Sequence, residues 1–328
     1  MNIIGERSIP RISVIVPAKN EEKYIGDCIR SLKCQSYPSS QIEIIVVDNN
    51  STDQTALIAE DMGVRVIHTE AERIGQVRNA GVEDSKGDFL FFIDADCVAS
   101  PSWIAKCLDL LSKHNKVGAI GGEALVRNQA SKIEKFWVVS DAAKKTTMKY
   151  LNGSSMAFTR EVFFKVGGFK EDINAGEDSF FANSLRELGL KIVHDSSADV
   201  IHLGYPRTIV DFFKTQFWHS SSYLRSNLGF SEYMFWFTLL SLFSIGSMAY
   251  AIFSKEIILT FVSIIMFSVG PMLFYFKKLI NTETKLNSSE GLVLLFLCFV
   301  YFLARVLGLF YSLTGISYYR KKVNMNKK

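Results

Sequence analysis

Several features that mark common protein classes are scarce in this sequence of 328 residues. Six prolines are too few for collagen, and 13% aromatic residues are too many for a disordered chain. Five cysteines without a CxxC pair indicate neither a disulfide framework nor a zinc knuckle. Charged residues and Pro10 interrupt the N-terminal segment. We therefore expect no cleavable signal peptide and a first part that stays in a reducing cytoplasm.

Glycine-rich phosphate loops are missing as well. No GxGxxG follows a predicted strand, and no GxxxxGK[ST] occurs anywhere, so dinucleotide-binding and P-loop functions lose their main support. Because few glycines are placed to offer backbone N–H groups, a nucleotide diphosphate bound here would depend on a metal ion for charge neutralisation.

Acidic residues are nearly absent from the last third of the chain. Residues 1–211 hold 25 of the 37 Lys and Arg residues and 29 of the 33 Asp and Glu residues. Residues 212–328 hold the other 12 basic residues and only four acidic ones. The net charge of +4 therefore combines an acidic first part with a basic and very apolar second part.

Long apolar runs fill that second part. Tyr233–Phe253 and Ile257–Phe276 carry no charge, and each is long enough to cross ~30 Å of hydrocarbon as a helix. A third apolar segment, Gly291–Tyr319, has Arg305 in its middle. We favour a third span over about residues 291–313, with Arg305 facing other helices or snorkelling; an interfacial third segment is the alternative. A third span would place the basic residues after Tyr319 outside, against the positive-inside rule.

The segment Ile209–Leu224 has the apolar spacing of an amphipathic helix, with aromatic residues on one face. Its position beside the apolar runs favours a helix at the membrane interface, and packing against a protein core is the alternative. We thus predict four regions: a first domain over 1–205, an amphipathic segment over 206–230, a transmembrane region over 231–320 and a basic tail over 321–328.

Strand and helix patterns alternate throughout the first part, which predicts an α/β fold with a mostly parallel sheet covered by helices on both faces. The predicted strands are Ile12–Val16, Ile42–Val47, Val64–His68, Phe89–Ile93 and Val117–Ile120. The predicted helices are Glu21–Leu32, Asp53–Met62 with Ser51 or Thr52 as its cap, Ile74–Val82, and one from Ser100 to about His114 with Pro101 in its first turn.

Polar and acidic clusters follow three of these strands. They are residues 17–21, residues 48–53 and residues 94–96, and the carboxyl ends of parallel strands meet at one edge of a sheet. Asp94 and Asp96 come directly after a buried strand, where two carboxylates would be costly without a cation or hydrogen-bond donors. Their oxygen atoms suit Mg²⁺ or Mn²⁺, so the sequence predicts a site for one of these ions at this edge.

Several segments, in their order along the chain, resemble family 2 glycosyltransferases of the membrane-anchored bacterial type. They are ISVIVPAKNEE, IIVVDNNSTD, RIGQVRNAG, FFIDAD, NGSSMAFTREVFFKVGGF and GEDSFFANSLRELG, and together they cover about residues 10–205. The resemblance implies the GT-A fold and a nucleotide-sugar donor. It also implies that the nucleotide-sugar site is lined by Pro17, Ala18, Glu21, Asp48, Arg78 and Asp94.

The same resemblance implies the remaining roles. Asp96 would ligate the metal, and His202 would complete the metal site, unless it is a structural histidine at a strand end. Asp178 would be the catalytic base of an inverting reaction, with Glu177 orienting the acceptor or its own helix. The QxxRW motif of processive relatives is not matched, since the corresponding residues run from Gln216 to His219, which puts processive synthesis in doubt. Gln216 and His219 either approach the diphosphate or pack at the interface.

These residues predict transfer of a sugar from a nucleotide sugar, with a mild preference for a UDP-sugar. A catalytic base favours a hydroxyl of a lipid-linked or glycan acceptor over polyprenyl phosphate, because a phosphate needs no base. A non-catalytic membrane scaffold and a nucleotidyltransferase are weaker alternatives. We expect membrane lipids and no nucleic acid as partners. The catalytic domain would face the cytoplasm from a multi-pass position in the cytoplasmic membrane.

Overall fold

The computed structural model describes residues 9–113, 116–137, 151–173, 176–221, 233–281 and 287–313. The chain divides into two units. The first contains residues 1–127 and 142–204, and the second contains residues 128–141 and 205–328. The predicted basic tail over 321–328 lies outside the described residues.

The first unit alternates strands and helices along its described residues. Its strands are β1 Ile12–Ala18, β2 Ile42–Asp48, β3 Arg65–His68, β4 Phe89–Ile93, β5 Cys97–Ala99, β6 Val117–Gly121, β7 Ala124–Val126, β8 Ser155–Thr159, β9 Lys191–His194 and β10 Val200–His202. Its helices are α1 Ile25–Lys33, α2 Thr55–Asp61, α3 Ile74–Glu83, α4 Trp103–Lys113, α6 Arg160–Val166 and α7 Glu177–Glu187. The helix α5, Lys132–Trp137, belongs to the second unit.

Seven strands form the main sheet in the order β3-β2-β1-β4-β8-β6-β9. All neighbouring pairs are parallel except those of β8, which runs antiparallel to both β4 and β6. The prediction of an α/β fold with a mostly parallel sheet is therefore confirmed. A second sheet in the order β5-β10-β7 was not predicted, because strands of three residues are too short to show a period.

Apolar side chains cover both faces of the main sheet. The β-branched and aromatic residues of β1, β2 and β4 point alternately to the two faces, where they join separate buried clusters. On one face Trp103 packs edge-on against Phe91, with ring centroids 5.1 Å apart. On the other face Phe158 stacks on Phe181 at 4.6 Å. Burial on both faces explains why these strands read as continuous apolar runs.

Three predicted helix starts are wrong. α1 begins at Ile25 instead of Glu21, because residues 21–24 form a turn that is bonded to a neighbouring loop. Neither Ser51 nor Thr52 caps α2, which begins at Thr55; the Asp53 carboxylate accepts the N–H of Thr55 at 3.0 Å instead. Pro101 lies two residues before α4, which begins at Trp103.

The second unit contains α5 and four further helices: α8 Ile209–Ser220, α9 Tyr233–Phe253, α10 Ile257–Asn281 and α11 Ser288–Leu313. The last three are long and apolar enough to cross a membrane, over Phe235–Phe253, Ile257–Ile280 and Ser288–Leu313. The sequence predicted these three helices, and α10 and α11 extend a few residues beyond the predicted spans.

The helix α8 packs against α11, and α5 and α11 are also in contact. Phe212 is fully buried in a cluster with residues of α11, including Leu297 and Phe302. In contrast, Ile209 and Val210 at the start of α8 are exposed. Phe212 thus packs as the alternative predicted, and the interfacial position of the helix stays a prediction. The pattern did not separate the two because lipid and helix surfaces are equally apolar.

Arg305 faces α8 within this unit. Its Nε and Nη2 atoms both donate to Oε1 of Gln216 at 3.3 Å, and its guanidinium lies 4.6 Å from the ring centre of Tyr301. Burial, and next the charge of Arg305, lower the pKa of His219 to about 4. Arg305 thus takes the first of its two predicted positions, towards another helix, and Gln216 is its hydrogen-bond partner.

Candidate active site

The ends of three parallel strands lie side by side, as their order in the sequence predicted. Asp48 at the end of β2 is the register partner of Ala18 at the end of β1. β4 lies on the other side of β1, and Asp94 and Asp96 follow it directly. The three polar clusters therefore share one edge of the sheet.

Hydrogen bonds join the loop after β1 to the segment after β2. The backbone N–H groups of residues 20–22 donate to side-chain oxygens of Ser51, Thr55 and Asp53, at 2.9, 2.7 and 3.1 Å respectively. Asn20 reaches this position through a left-handed backbone conformation with φ of 58°, which Asn tolerates better than most residues. These bonds hold the two loops in one fixed arrangement.

Asp48 is 97% buried at this edge. Its Oδ2 atom accepts the N–H of Ser51 at 3.2 Å and lies 3.5 Å from Nδ1 of His68. Its Oδ1 atom is buried and has no hydrogen-bond partner among the described residues. A buried acceptor without a partner is costly, so this oxygen is suited to accept an N–H group from a bound ligand.

Pro17 and Ala18 are the last two residues of β1, and both are buried. Glu21 follows in the loop, where burial, and then the charges of Asp96, Asp94 and Asp53, raise the pKa of its carboxyl to about 8. Carboxyl groups are therefore crowded at this edge, and a cation bound there would favour their ionised forms.

Asp96 lies between β4 and the small sheet. Its Oδ2 atom is 3.5 Å from Nε2 of His202 on β10, and its backbone carbonyl accepts the N–H of Leu203 at 2.8 Å. Gly204 lies so close that a Cβ atom there would be 2.0 Å from Oδ2 of Asp96. Glycine is thus required for this approach of β10 to the acidic residues.

These residues fit a divalent cation. Asp96, Cys97 and His202 each offer one ligand atom, and the three atoms lie within 4.8 Å of one another. Burial raises the pKa of Asp96, the charge of His202 opposes this rise, and the charge of Asp94 adds to it. A cation between these side chains would relieve the repulsion among the carboxylates and the cost of burying them.

Arg78, which we predict to line the nucleotide-sugar site, has a side chain that is 97% buried and paired with carboxylates. One Nη atom binds Oε1 of Glu177, and the other binds Oδ1 of Asp94 at 3.3 Å and the carbonyl of Gly153 at 3.2 Å. Glu177 is buried by this pairing, so direct contact with an acceptor does not fit its position. Of its two expected roles, orientation of its own helix is the one that this geometry favours.

Asp178 is the second residue of α7, directly after Glu177, and is only partly buried. Its Oδ2 atom accepts the N–H of Gly153 at 3.1 Å, and its Oδ1 atom accepts the N–H of Ser179 at 2.6 Å. Gly153 therefore connects Asp178 to Arg78, and through Arg78 to Asp94. The structure thus connects the second predicted motif to Asp94 at the acidic edge of the sheet.

Comparison with known proteins identifies the protein family of this domain. The family model described as Glycosyl transferase family 2 matches residues 13–165, which contain β1, β2, β4 and the acidic residues at their ends. Residues 13–165 form a domain of glycosyl transferase family 2. The identification of a family 2 glycosyltransferase from the sequence motifs is therefore confirmed.

Two relatives illustrate how far the glycosyltransferase resembles known proteins. Glycosyltransferase AglE of Haloferax volcanii is 27% identical over 221 residues, which are 64% of this chain and 72% of AglE. TarS of Staphylococcus aureus, a poly(ribitol-phosphate) beta-N-acetylglucosaminyltransferase, is 32% identical over 111 residues. That match covers 32% of this chain and only 19% of TarS, so it concerns one segment of a larger protein.

A solved structure shows the fold. The mannosyltransferase PcManGT from Pyrobaculum calidifontis, in complex with GDP-Man and Mn²⁺, superposes with a TM-score of 0.53 at 22% identity. The match covers 66% of this chain and 64% of PcManGT. The first unit of the glycosyltransferase therefore has the GT-A fold, as its motifs implied.

Sequence reasoning missed several residues of the site. Cys97 lies beside the metal residues, His68 beside Asp48, and Gly153 between Asp178 and Arg78. The position of Cys97 directly after Asp96 was a signal, but a single cysteine was not considered as a ligand. His68 ends β3, and the rule that ligands bind at strand ends would have included it.

Replacement of Arg78 by Met should destabilise the glycosyltransferase strongly. The change leaves the buried carboxylate of Glu177 without its cation, which typically costs about 3–5 kcal/mol, and also removes a partner of the partly exposed Asp94. Thermal unfolding of the full chain in detergent, followed by tryptophan fluorescence, measures the effect. Arg65→Met is the matched control, because the pair of Arg65 with Asp84 is exposed and surface pairs contribute about 0–1 kcal/mol. Equal melting temperatures for the two variants would contradict the assigned role.

The raised pKa of Glu21 predicts a pH dependence in protein treated with a chelator. The folded state holds the proton up to about pH 8, whereas the unfolded chain releases it near its ordinary 4.5. The stability contribution is therefore complete below about pH 4.5 and lost as the pH rises to about 8. Melting temperatures across this range should fall less in Glu21→Gln than in the wild type. Glu22→Gln, which alters an exposed neighbour, should follow the wild type; parallel curves for all three would refute the assignment.

Proposed function

We propose that this glycosyltransferase is a membrane-bound, inverting enzyme that moves a sugar from a UDP-sugar to a hydroxyl of a lipid-linked or envelope glycan acceptor. The observation that carries the proposal is the chain of contacts from Asp94 through Arg78 and Gly153 to Asp178. It holds the acidic strand ends, where a donor diphosphate and cation would bind, next to a carboxylate that is suited to be a base.

Asp178 acts on the acceptor in this proposal. Its carboxylate accepts the proton of the acceptor hydroxyl while the hydroxyl oxygen forms a bond to the anomeric carbon. The bond from that carbon to the diphosphate breaks, and the nucleoside diphosphate leaves with the bonding electrons. Backbone N–H groups of Gly153 and Ser179 fix the orientation of the carboxylate. A single displacement from the face opposite the leaving group inverts the configuration.

The donor would bind along the edge formed by β1, β2 and β4. The Oδ1 atom of Asp48 is placed to accept an N–H group of the base, and uracil offers one. A divalent cation, Mg²⁺ or Mn²⁺, held by Asp96 and His202, would supply the positive charge that stabilises the leaving diphosphate. Glu21 lies beside this site with a carboxyl whose pKa is raised to about 8, and Pro17 and Ala18, which are buried at the end of β1, would line it.

A hydroxyl acceptor is favoured over polyprenyl phosphate, because a phosphate would not need the base that Asp178 provides. The name of the staphylococcal relative, which describes transfer to poly(ribitol phosphate), supports a polymer or lipid-linked acceptor here. The three apolar helices support a multi-pass position in the cytoplasmic membrane. In this topology the GT-A unit faces the cytoplasm, where nucleotide sugars are made.

Replacement of Asp178 by Asn should abolish transfer and leave nucleotide binding intact. Loss of a general base lowers rates by about 10²–10⁴-fold. The measurement is transfer of labelled sugar by the full chain in acceptor-containing membranes, together with a nucleotide titration of the purified variant. Asp172→Asn is the matched control, since the Asp172 side chain is exposed. Wild-type transfer by Asp178→Asn would exclude Asp178 as the base.

The donor can be identified by thermal-shift measurements on the full chain in detergent. UDP-, GDP- and dTDP-sugars are each tested with and without Mn²⁺, and we expect UDP-sugars to raise the melting temperature, more so with Mn²⁺. At a ligand concentration of 100 times Kd, binding stabilises by about 2.7 kcal/mol. Asp48→Ala should lose this shift. If GDP- or dTDP-sugars gave the larger shift, the proposed uracil specificity would be wrong.

A further inference from the structure

The small sheet places a thiol next to the metal residues. Cys97 on β5 and His202 on β10 are direct partners in an antiparallel register, so their side chains point to the same face of the sheet. Asp96 immediately precedes Cys97, and the Sγ atom of Cys97 lies 3.8 Å from Oδ1 of Asp96. The fold therefore brings one sulfur, one nitrogen and one oxygen ligand atom together.

Among the described residues, Asp96, Cys97 and His202 are the group of three metal-binding side chains whose ligand atoms lie within 4.8 Å of one another. A second buried thiol nearby is arranged differently. Cys28 on α1 points its Sγ atom at the backbone carbonyl of Asp94, 3.7 Å away. The arrangement thus singles out Cys97, and Cys28 provides a comparison of equal burial.

We infer that Cys97 is a ligand of the divalent cation, together with Asp96 and His202, and that the site therefore prefers Mn²⁺, Co²⁺ or Zn²⁺ over Mg²⁺. Thiolate and imidazole ligands suit Zn²⁺ and Co²⁺ best, Mn²⁺ stands lowest among the first-row transition metals at such sites, and Mg²⁺ takes oxygen ligands. The thiol of Cys97 releases its proton to solvent, the sulfur forms one bond to the cation, and nothing is oxidised or reduced. The inference rests on the proposed function for the role of the cation in transfer.

This assignment also explains the close approach of β10. The absence of a Cβ atom at Gly204 lets His202 come within 3.5 Å of Asp96, from the side of the sheet that carries Cys97. Without a cation, the burial of a carboxylate, an imidazole and a thiol side by side would cost desolvation energy that few contacts offset. With a cation, all three become ligands of one ion.

Cobalt titration of the full chain in detergent tests the inference, because Co²⁺ bound to a thiolate has a charge-transfer absorption band in the near ultraviolet. The exposed Cys34 is first replaced by Ser to remove a competing thiol. In this background we expect the band to saturate at one Co²⁺ per chain. It should be lost in C97S and retained in C28S.

A second variant guards against misfolding of C97S. C97D keeps a ligand but removes the sulfur, so it should bind Co²⁺ with visible d–d absorption and without the charge-transfer band. Visible absorption without the near-ultraviolet band in the Cys97-containing protein would overturn the inference. Equal loss of the band in C97S and C28S would overturn it as well.

A parallel transfer assay separates this inference from the proposed function. Sugar transfer at equal rates with Mg²⁺ and Mn²⁺, without a thiolate band, would refute Cys97 as a ligand and leave the glycosyl transfer mechanism standing. A thiolate band that disappears in C97S, in a protein that uses no nucleotide sugar, would support the metal site and refute the proposed donor.

Discussion

One buried guanidinium connects the parts of the first unit that chemistry requires to be close. Arg78 projects from α3 and binds Glu177 on α7, Asp94 after β4 and the carbonyl of Gly153. Because 97% of this side chain is shielded from water, its charge needs partners in fixed positions. These contacts therefore hold α7 and the residues after β4 close to α3. Gly153 is held so closely that a Cβ atom would lie 2.5 Å from Nη2 of Arg78. The relative positions of Asp94, Gly153 and Glu177 therefore depend on their contacts with Arg78.

The sequence predicted the strands that carry the site well and the contacts among its side chains less well. The strands β1, β2 and β4 were found because apolar runs of five or more residues are hard to mistake, and their ends located Asp48, Asp94 and Asp96. The roles of Arg78 and Glu177 were not predictable, since a motif gives neighbours in sequence but not which of two adjacent carboxylates turns inward. The strands β5, β7 and β10 have three residues each, and hydrogen bonds instead of periodicity define them. The pairing of Cys97 with His202 depends on these short strands and was therefore not predicted.

In the second unit, a different property of the sequence limited the prediction of side-chain packing. An amphipathic pattern shows that a helix face is apolar, but lipid chains and a neighbouring apolar helix satisfy that face equally well. Phe212 therefore packs in a cluster with α11 where a surface position was favoured. Arg305 was more informative about helix packing, because a cation inside an apolar helix needs a hydrogen-bond acceptor. Gln216 of α8 provides that acceptor. A single polar residue thus restricts the packing of an apolar helix more than its many apolar residues do.

The bonds between residues 20–22 and the segment 51–55 have a consequence for the timing of donor binding. Loops that close over a ligand lose conformational entropy when the ligand arrives, which weakens binding and slows release. Here the two loops are already joined through the side chains of Ser51, Asp53 and Thr55, so their entropy is lost when the chain folds. This edge of the sheet is therefore preorganised, and a ligand that binds there, such as the proposed donor, does not have to order these two loops.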